Sequence, residues 1–564
     1  MKRWIAWMLT AALILTGCGQ KQEAQPEKNP VPDSTAVREK AWPDAVYIDL
    51  SDEQISVDDT AISSDSAQAV YAAHDIVYYE EGRDFTYGEG SESDAHSAEE
   101  AAAHTVVHIT QPGRYVLSGT LSAGQVAVDL GDDAKENPEA VVTLILNDVD
   151  ITCTVAPAVI FYNVYECGST DAETASKDVD TSAAGANVLI ADGSTNVVNG
   201  SYVARIYKPD SVVLNEDGTE VEDAKKLHKY DAAFYSKMSM NISGEHDADP
   251  ETAKWGTLCI NAENEGLDSE LHLTIEGGNI NITSGNDGIN TNEDGVSVTT
   301  INGGVVNIVV SGETGEGDGI DSNGWLVING GTVIAAACSN SADSGIDSDM
   351  GIHINGGSVI ASGHMLDRIE DGGQNYAVFN FAEKQSGGTE VTLKGAAGNM
   401  ATYVPANDFS ILLLCDPFLE PGDYTLWQGD TQLDHSGAAG GMMGGGFRPG
   451  GMEPGGPRVP PEWEGLDVTE LPQIPVEGAG GRRHEGFEPP EGMGSPEGGF
   501  RPQMNEDGTI TLPDGTIMDP AEMKPPAGMG GRPGGFGGME NGESSEVFSI
   551  SDGGNIFSGV AEMK

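Results

Sequence analysis

Four short segments of the sequence carry acidic or amide side chains two positions apart, each after an apolar residue. They read GLDSE (266–270), GINTN (288–292), GIDSN (319–323) and GIDSD (345–349). Because side chains alternate between the two faces of a β-strand, these polar residues lie on the face opposite the leucine or isoleucine. Carboxylate and amide oxygens are the ligands of hard divalent cations, and calcium tolerates their irregular geometry. The segments therefore predict calcium binding.

The predicted calcium ligands form two outward-facing columns on successive repeats, with three further aspartates just upstream. They are Asp268, Asn290, Asp321 and Asp347 in one column, Glu270, Asn292, Asn323 and Asp349 in the other, and Asp287, Asp318 and Asp343 upstream. Carboxylates about 5 Å apart repel each other by roughly 3 kcal/mol at an effective dielectric near 20. No lysine or arginine occurs between Lys254 and Arg368 to offset this repulsion. The alternative is that Asp, Asn and Ser simply suit tight turns.

A glycine pair sets the period of the same region. The segments LTIEGGNINIT (273–283), TTINGGVVNIV (299–309), LVINGGTVIAA (326–336) and IHINGGSVIAS (352–362) recur every 26 or 27 residues. Short apolar alternations broken by glycine indicate strands, and an internal repeat of this length indicates a solenoid. Leucine-rich repeats lack support because no leucine ladder is present, and propeller blades need longer repeats. The sequence predicts an all-β fold built as a parallel β-helix.

The composition restricts the partners. Asp and Glu number 90 against 28 Lys and Arg, which gives a formal net charge of −62. Such a charge disfavours nucleic acid and anionic membrane surfaces as electrostatic partners, so no nucleic acid is expected. It favours cations, or anionic ligands that are reached through bound cations. An acidic extracellular protein whose charge only prevents association has the same composition.

The N-terminus has the features of a secretory signal. Lys2 and Arg3 precede an apolar run that is too short for a comfortable membrane-spanning helix, and LTGC (15–18) follows it. This ending is similar to a bacterial lipobox, so residues 1–17 are predicted to be a lipoprotein signal peptide and Cys18 the lipidated residue. Residues 18–103 follow as a tether and peripheral segment. We expect an extracytoplasmic protein held to the bacterial membrane by this lipid alone; an ordinary signal peptide or a short anchor is the alternative.

The C-terminal part changes character. Residues 436–545 are rich in Gly, Met, Pro and Arg, and such a composition buries too little apolar surface to fold firmly. We predict a disordered insertion there, with a small hairpin at 509–519. Residues 546–564 return to a strand pattern and are expected to dock on the β-helix as a final strand.

The ordered set of motifs from residue 104 to 435 is similar to one known family. ITQPGRYVLSGTLSAGQVAVDL (109–130) and NVLIADGSTNVVNG (187–200) precede the repeats, and a closing section spans 375–430. These segments resemble the calcium-binding β-helical carbohydrate-binding domains of bacterial surface proteins, which have a polysaccharide-lyase-like fold. The resemblance implies a right-handed β-helix, bound calcium, and binding of cellulosic or pectic polysaccharide without demonstrated catalysis. The segment TNEDGVSVTTINGG (291–304) departs from the pattern by extra residues.

Three function classes follow from these observations. A non-catalytic polysaccharide binder needs a platform for sugar rings, and Trp325 is the candidate because it faces outward from its strand. A polysaccharide lyase or hydrolase is the alternative, but a lyase needs a basic residue beside the cation, and only Lys237 and Arg368 flank the repeats. A structural spacer or adhesin without affinity for glycans is the third class. We predict the binder, with no catalytic residues.

Overall fold

The computed structural model describes residues 41–245, 255–438 and 544–563, together with three two-residue strands near the C-terminus. The predicted signal peptide, Cys18 and most of the glycine-rich region lie outside the described residues. Within the described part of the chain, no helix has both the length and the apolar character that a membrane crossing needs. The chain divides into two units, one of Met1–Gly465 with Gly542–Lys564 and one of Leu466–Asn541.

The first half of the described chain consists mainly of short strands. The strands before residue 104 are β1 (Val46–Leu50), β2 (Ser56–Val57), β3 (Thr60–Ala61) and β4 (Val70–Ala73). The α-helix α1 (Ala98–Ala102) begins after the N-cap residue Ser97. The strands β5 (Thr105–Ile109), β6 (Gly113–Leu121), β7 (Gly124–Asp129), β8 (Val142–Thr152) and β9 (Val159–Asn163) follow, with a 3₁₀ turn at Asp132–Glu136.

The middle of the chain continues with strands of two to six residues. They are β10 (Ala186–Ile190), β11 (Thr195–Gly200), β12 (Val203–Tyr207), β13 (Val213–Leu214), β14 (Val221–Asp223), β15 (Lys226–Tyr230), β16 (Ala232–Ser236) and β17 (Met240–Gly244). The repeats contribute β18 (Thr257–Ala262), β19 (Glu265–Ser269), β20 (His272–Ile275), β21 (Asn279–Ser284), β22 (Ile289–Thr291), β23 (Val298–Ile301), β24 (Val305–Val310), β25 (Ile320–Ser322), β26 (Trp325–Ile328), β27 (Thr332–Ala336), β28 (Gly351–Ile354) and β29 (Ser358–Gly363). A second 3₁₀ turn lies at Pro209–Ser211.

The C-terminal part closes the larger unit with longer strands. They are β30 (Tyr376–Gln385), β31 (Val391–Gly395), β32 (Gly398–Tyr403), β33 (Phe409–Cys415), β34 (Gly422–Gln428), β35 (Thr431–Asp434) and β36 (Gly437–Ala438). The smaller unit contains an antiparallel sheet of β37 (Gln503–Met504), β38 (Ile510–Thr511) and β39 (Ile517–Met518), in which β38 and β39 form the hairpin predicted at 509–519. The last strands are β40 (Phe548–Ile550) and β41 (Gly554–Glu562).

The strands form large sheets, so the predicted all-β class is confirmed. In an eight-stranded sheet, β5, β7, β9, β16, β19, β22 and β25 pair in parallel, each with the next. Two further parallel series run from β8 through β10, β17, β20, β23, β26 and β28, and through β11, β18, β21, β24, β27 and β29. Each strand of the repeat therefore pairs with its counterpart in the next repeat.

The segment before residue 104 belongs to these sheets. β1 pairs in parallel with β6, and β4 pairs antiparallel with β5 at the edge of the eight-stranded sheet. Residues that the sequence assigned to a tether and peripheral segment thus provide the four strands β1 to β4. Their alternation of apolar and polar residues is too short to reveal that role without a partner strand.

Equivalent apolar residues of successive repeats stack in the core. Ile280, Val306, Val333 and Val359 are in register on four consecutive strands, and all four are fully buried. Aliphatic side chains stacked in this way bury nearly all of their surface, and each contributes about 1.5–3 kcal/mol to folding. The repeat period therefore supplies a continuous core along the three parallel series.

A turn with a glycine pair separates two strands of each repeat. The second glycine has a positive φ in every pair, for example +80° at Gly304 and +78° at Gly331, which explains why no other residue type occurs there. The asparagine before the pair donates to the asparagine of the preceding repeat: Asn355 Nδ2 to Asn329 Oδ1 and Asn329 Nδ2 to Asn302 Oδ1, both at 2.8 Å. The turns are thus linked by a ladder of side-chain amides.

Replacing Asn329 by alanine is expected to lower the free energy of unfolding by about 1 kcal/mol, because it removes both hydrogen bonds of the central rung while water partly replaces them. Urea unfolding of the variant and of the unchanged protein measures this difference. Asn340→Ala is the matched control, since Asn340 is an exposed asparagine outside the ladder. Equal stability of the two variants would contradict a stabilising ladder.

The C-terminal strand closes the fold. β41 pairs in parallel with β30 and antiparallel with β35 and β36, while β40 pairs with β34. Ahead of β40, His435 and Ser545 form an antiparallel bridge, with N–O distances of 2.9 and 3.0 Å. The described strands on the two sides of residues 439–543 are therefore hydrogen-bonded to each other.

Candidate metal centre on the acidic face

Polar side chains of the repeated segments form one surface of the eight-stranded sheet, which we call the acidic face. Asp268 of β19, Asn290 of β22 and Asp321 of β25 are direct neighbours in the parallel register. Asp347 continues this column because its backbone N–H donates to Ile320 at 2.7 Å. Backbone hydrogen bonds in the same way align the second column, which consists of Glu270, Asn292, Asn323 and Asp349.

The buried side chains on the opposite side of these strands determine which residues reach the acidic face. Leu267, Ile289 and Ile320 are fully buried and in register. The next inward position holds hydroxyl side chains, and Thr291 and Ser322 hydrogen-bond to each other at 2.8 Å. A one-residue slip would expose this side and bury the carboxylates, so the hydrophobic pattern sets which side chains reach the acidic face.

A glycine begins each repeated segment because the next repeat lies too close for a side chain. A Cβ on Gly288 would lie 2.5 Å from the carbonyl oxygen of Gly319 and 2.2 Å from Ile308 Cγ2. A Cβ on Gly319 would lie 2.3 Å from the carbonyl oxygen of Gly345. The glycine column thus sets the spacing of the carboxylates that follow it.

Three aspartates converge in what we call the accessible cluster. Carboxylate oxygens of Asp318, Asp321 and Asp347 all lie within 4.8 Å of one another, and the three residues are partly exposed. Asp347 Oδ1 is itself buried and has no hydrogen-bond partner. At this separation each pair of ionised carboxylates repels by about 3 kcal/mol at an effective dielectric near 20.

The pKa values of this cluster reflect burial and mutual repulsion. Burial, followed by the charges of Asp347 and Asp287, raises the pKa of Asp318 to about 10. Burial and the neighbouring Asp367, Asp321 and Asp349 raise the pKa of Asp347 to about 7. The charges with the largest effect on these two groups are carboxylates, so a bound cation would favour their ionised forms.

The upstream aspartates connect neighbouring repeats through the backbone. Asp287 Oδ1 accepts from the N–H of Asp318 at 2.7 Å, and Asp318 Oδ1 accepts from the N–H of Ser344 at 2.5 Å. Asp343 Oδ2 accepts from the N–H of Gly317 at 2.6 Å. Of the three predicted upstream ligands, only Asp318 therefore belongs to the accessible cluster, while burial raises the pKa of Asp287 to about 7.

A second group of carboxylates, the buried cluster, consists of Asp231, Glu265 and Asp268, whose oxygens also lie within 4.8 Å of one another. Lys229 forms an ion pair with Asp231. Asn292 donates to both oxygens of Asp268 at 3.0 Å. Glu265 Oε2 and Asn290 Oδ1 have no hydrogen-bond partner, and burial with the neighbouring carboxylates raises the pKa of Glu265 and Asp268.

Sequence reasoning missed two members of the buried cluster. Asp231 lies before β16, outside the repeated segments, and nothing local distinguishes it. Glu265 did leave a signal, because it directly precedes its GLDSE segment as Asp287 and Asp318 precede theirs. An alignment of the four segments extended by one residue would have identified it.

Part of the predicted column is not solvent-facing. Asp268 is 0% exposed and Asn290 is also buried, although an outward position was expected for both. Tyr235 of β16 is in register with Asp268, and Lys229 with Asp231 packs beside it, so the strands that precede the repeats cover this end of the face. His272, the first residue of β20, is 2% exposed, and its Nδ1 accepts from the N–H of Val298 at 3.1 Å.

The oxygen donors of both clusters fit a hard divalent cation. Carboxylate and amide oxygens at variable geometry suit calcium better than magnesium, which demands a near-ideal octahedron. The accessible cluster fits better than the buried one, because the buried cluster already has the Lys229 ammonium as a counter-charge. A cation at the accessible cluster would relieve the repulsion of three carboxylates and satisfy Asp347 Oδ1.

Two other predicted residues lie outside both clusters. Glu270 accepts a hydrogen bond from the hydroxyl of Tyr235 and pairs with Lys226, whose Nζ lies 3.4 Å from Glu270 Oε1. Trp325 starts β26 and is partly exposed. It is in register with Val298 and Gly351, and the side chain of Glu370 lies against Gly351.

Basic residues lie at the end of the acidic face that precedes the repeats. Lys237 follows β16, and its N–H donates to Phe161 at 2.9 Å, so it lies between Tyr162 and Glu270 on successive strands. The sequence places Lys237 only next to the repeats along the chain. The register brings it to the same surface as the carboxylates.

Comparison with known proteins adds the family. Residues 103–439 match the family model described as carbohydrate-binding domain-containing protein. A protein of the same description from Acetivibrio thermocellus is 30% identical over 177 residues, which is 31% of this chain and 44% of that protein. The chain thus matches less than half of the length of this relative. A solved structure, described as the polysaccharide lyase-like protein from C. thermocellum in a gadolinium derivative, aligns with 56% of this chain and 90% of that chain, at 21% identity and a TM-score of 0.32.

Proposed function

The chain belongs to the carbohydrate-binding domain-containing protein family, whose model spans more than half of it, and from this premise we propose that it binds polysaccharide without cleaving it. The ligands are acidic or cellulosic glycans, and calcium stabilises the protein at the accessible cluster. The observation that carries the calcium proposal is the convergence of Asp318, Asp321 and Asp347 from successive repeats, with one oxygen of Asp347 buried and unpartnered.

The proposed scaffold is a right-handed parallel β-helix. In support, equivalent strands of successive repeats pair in parallel along three series, and the same apolar positions stack in each. Such a scaffold presents one flat, elongated surface per series, which suits a linear polymer. The acidic face is one of these surfaces, and Trp325 on a neighbouring series is the proposed platform for a sugar ring.

The proposed role of calcium is twofold. An ion held by the accessible cluster removes the repulsion between its carboxylates, and any open coordination position accepts a further oxygen ligand. A carboxylate of an acidic polysaccharide can fill that position, which reconciles an acidic ligand with a formal net charge of −62. The lipid on Cys18 is proposed to hold the protein at the bacterial surface.

The test is retention on insoluble polygalacturonate and on cellulose, measured with calcium and with chelator. We expect calcium-dependent retention of the unchanged protein on polygalacturonate and no unsaturated products. The double variant Asp321→Ala/Asp347→Ala is expected to bind polygalacturonate about tenfold more weakly, the equivalent of about 1.4 kcal/mol.

The matched control for this test is Asp178→Ala, because Asp178 is an exposed aspartate outside the repeats that pairs with Lys177. The control is expected to bind as the unchanged protein does. Retention of the double variant equal to that of the control would contradict calcium bridging. Retention on neither polymer, together with a calcium-dependent melting temperature, would favour a structural spacer instead.

A lyase is the second candidate function, and one observation favours it. Lys237 lies on the same surface as the carboxylates, and burial together with Lys135 and Lys226 lowers the pKa of its ammonium, as a proton acceptor requires. A lyase would abstract the proton beside the uronate carboxylate and leave an unsaturated end on the product. Accumulation of such ends in the retention assay would replace the binder by this candidate.

A further inference from the structure

Besides Lys229, which pairs with Asp231, three lysines gather at the end of the acidic face, which is unusual in a chain with 28 basic and 90 acidic residues. Lys226 pairs with Glu270 at 3.4 Å, and Lys237 is the neighbour of Glu270 on the adjacent strand. Lys135 is close enough to lower the pKa of Lys237, after the larger effect of burial. The charges of Glu270 and Asp129 raise the pKa of Lys237, whereas those of Lys135 and Lys226 lower it.

Lys237 has no ion-pair partner in the part of the chain that the structure describes. Lys226 has Glu270 as its partner, but the Lys237 ammonium makes no ion pair or hydrogen bond with any residue that the structure describes. Lys237 is half-buried. It also lies near His228, whose pKa is lowered mainly by burial and to a smaller extent by the charge of Lys237. A half-buried ammonium without a protein partner is costly, and an anionic ligand would compensate it.

An aromatic ring lies beside this ammonium. Tyr162 precedes Lys237 in the register of β9 and β16, about one strand spacing of 4.8 Å away. Tyr162 is partly exposed, and its ring is held edge-to-face against Tyr230, with ring centroids 5.5 Å apart. Tyr230 is fixed in turn by Tyr235 at 5.2 Å and by a hydrogen bond of 2.7 Å with His228 Nδ1. The ring is therefore a fixed platform next to a free positive charge.

We propose that Tyr162, Lys237 and Lys226 form a subsite for one hexuronate residue of an acidic polysaccharide. The sugar ring packs on Tyr162, and the carboxylate of the same residue pairs with Lys237, while Lys226 adds positive charge from the side of Glu270. This inference rests on the proposed polysaccharide binding and deepens it, since it selects acidic over neutral glycans. A neutral sugar would pack on the ring but leave the ammonium unpaired.

The polymer would then follow the acidic face. Lys237 and Glu270 belong to the same column as Asn292, Asn323 and Asp349. A chain that starts at the subsite and runs along the stacked strands passes the accessible cluster several strands later. Direct pairing with lysine at one end and pairing through a cation at the other provide two separate contacts for carboxylates of one polymer.

The experiment compares full-length Lys237→Met with the unchanged protein in binding to soluble polygalacturonate and to a soluble neutral glucan. Methionine keeps the apolar part of the side chain and removes the charge. We expect affinity for polygalacturonate to fall about tenfold, with unchanged affinity for the glucan. Lys237→Arg is expected to retain most of the affinity. Lys177→Met, which removes a partly exposed lysine paired with Asp178, is the matched control and is expected to have no effect.

The outcomes separate this inference from the proposed function. Unchanged protein that binds the glucan but not polygalacturonate would overturn the subsite and leave polysaccharide binding intact, whereas binding to neither would overturn both. An equal loss for both polymers in Lys237→Met, with an unchanged melting temperature, would also overturn the subsite. Formation of unsaturated product that Lys237→Met abolishes without weakening retention would overturn Lys237 as a binding group.

Discussion

Calcium added to chelator-treated protein is expected to raise the melting temperature by about 5 °C or more near pH 8, and by much less near pH 5. A cation present at a concentration of about 100 times its dissociation constant stabilises the folded state by about 2.7 kcal/mol. In a large domain, each kcal/mol raises the melting temperature by about 2–4 °C. The pKa values of Asp287 and Asp347 are raised to about 7 and that of Asp318 to about 10. Protons therefore occupy the carboxylates at low pH and compete with calcium.

The sign follows from the raised values. An aspartate that has a higher pKa in the folded than in the unfolded chain destabilises the fold as pH rises from about 4 through the folded pKa. Chelated protein should thus lose stability up to about pH 7 from Asp287 and Asp347, and further towards pH 10 from Asp318. Calcium is expected to restore this lost stability at alkaline pH. Thermal unfolding with and without calcium at both pH values measures this effect. The double variant Asp321→Asn/Asp347→Asn is expected to show no calcium-induced rise in melting temperature, whereas the control Asp178→Asn is expected to behave as the unchanged protein does. An equal rise at both pH values would contradict the prediction.

Replacing Gly288 by alanine is expected to lower the free energy of unfolding by about 3 kcal/mol, corresponding to a fall of about 6 °C or more in the melting temperature. The new Cβ would lie 2.5 Å from the Gly319 carbonyl oxygen and 2.2 Å from Ile308 Cγ2. Backbone cannot move away here without separating two hydrogen-bonded repeats, so the parallel pairing of β22 and β25 must open.

Gly277→Ala is the matched control for this substitution. Gly277 belongs to a glycine-pair turn of the same region, and the nearest atom to its Cβ would be 3.5 Å away, which is ordinary van der Waals contact. The control should therefore unfold within about 1 kcal/mol of the unchanged protein. Thermal and urea unfolding of both variants provide the comparison. A Gly288→Ala protein as stable as the control would show that the repeats can separate at no cost.

Much of the fold is predictable from the sequence because two periods coincide. The glycine pairs at intervals of 26 or 27 residues and the alternation inside each strand fix both the repeat and the side that faces the core. Asp268, Asn290 and Asp321 therefore fall in register as the alternation requires. The strands at Val46–Leu50 and Val70–Ala73 were not predicted, because their partners β6 and β5 are distant in sequence and not part of the repeat.

The candidate site is less predictable than the register. Asp231 and Lys237 flank β16, which precedes the repeats, and their approach to Asp268 and Glu270 depends on pairing between β16 and β19. The covering of Asp268 by Tyr235 and Lys229 likewise depends on tertiary contacts that no local pattern encodes. The assignment of calcium and of polysaccharide classes stays a prediction from the chemistry of the donors and from the family.

The bridge between His435 and Ser545 marks a place where the sheet can accept an inserted sequence. Two backbone hydrogen bonds, at 2.9 and 3.0 Å, join these two residues. Both ends of the intervening sequence are therefore held at one place in the sheet. The entropic cost of closing such a loop grows by only about 0.6 kcal/mol for each doubling of its length. Inserts of very different length between these two residues are therefore expected to change the stability of the sheet little.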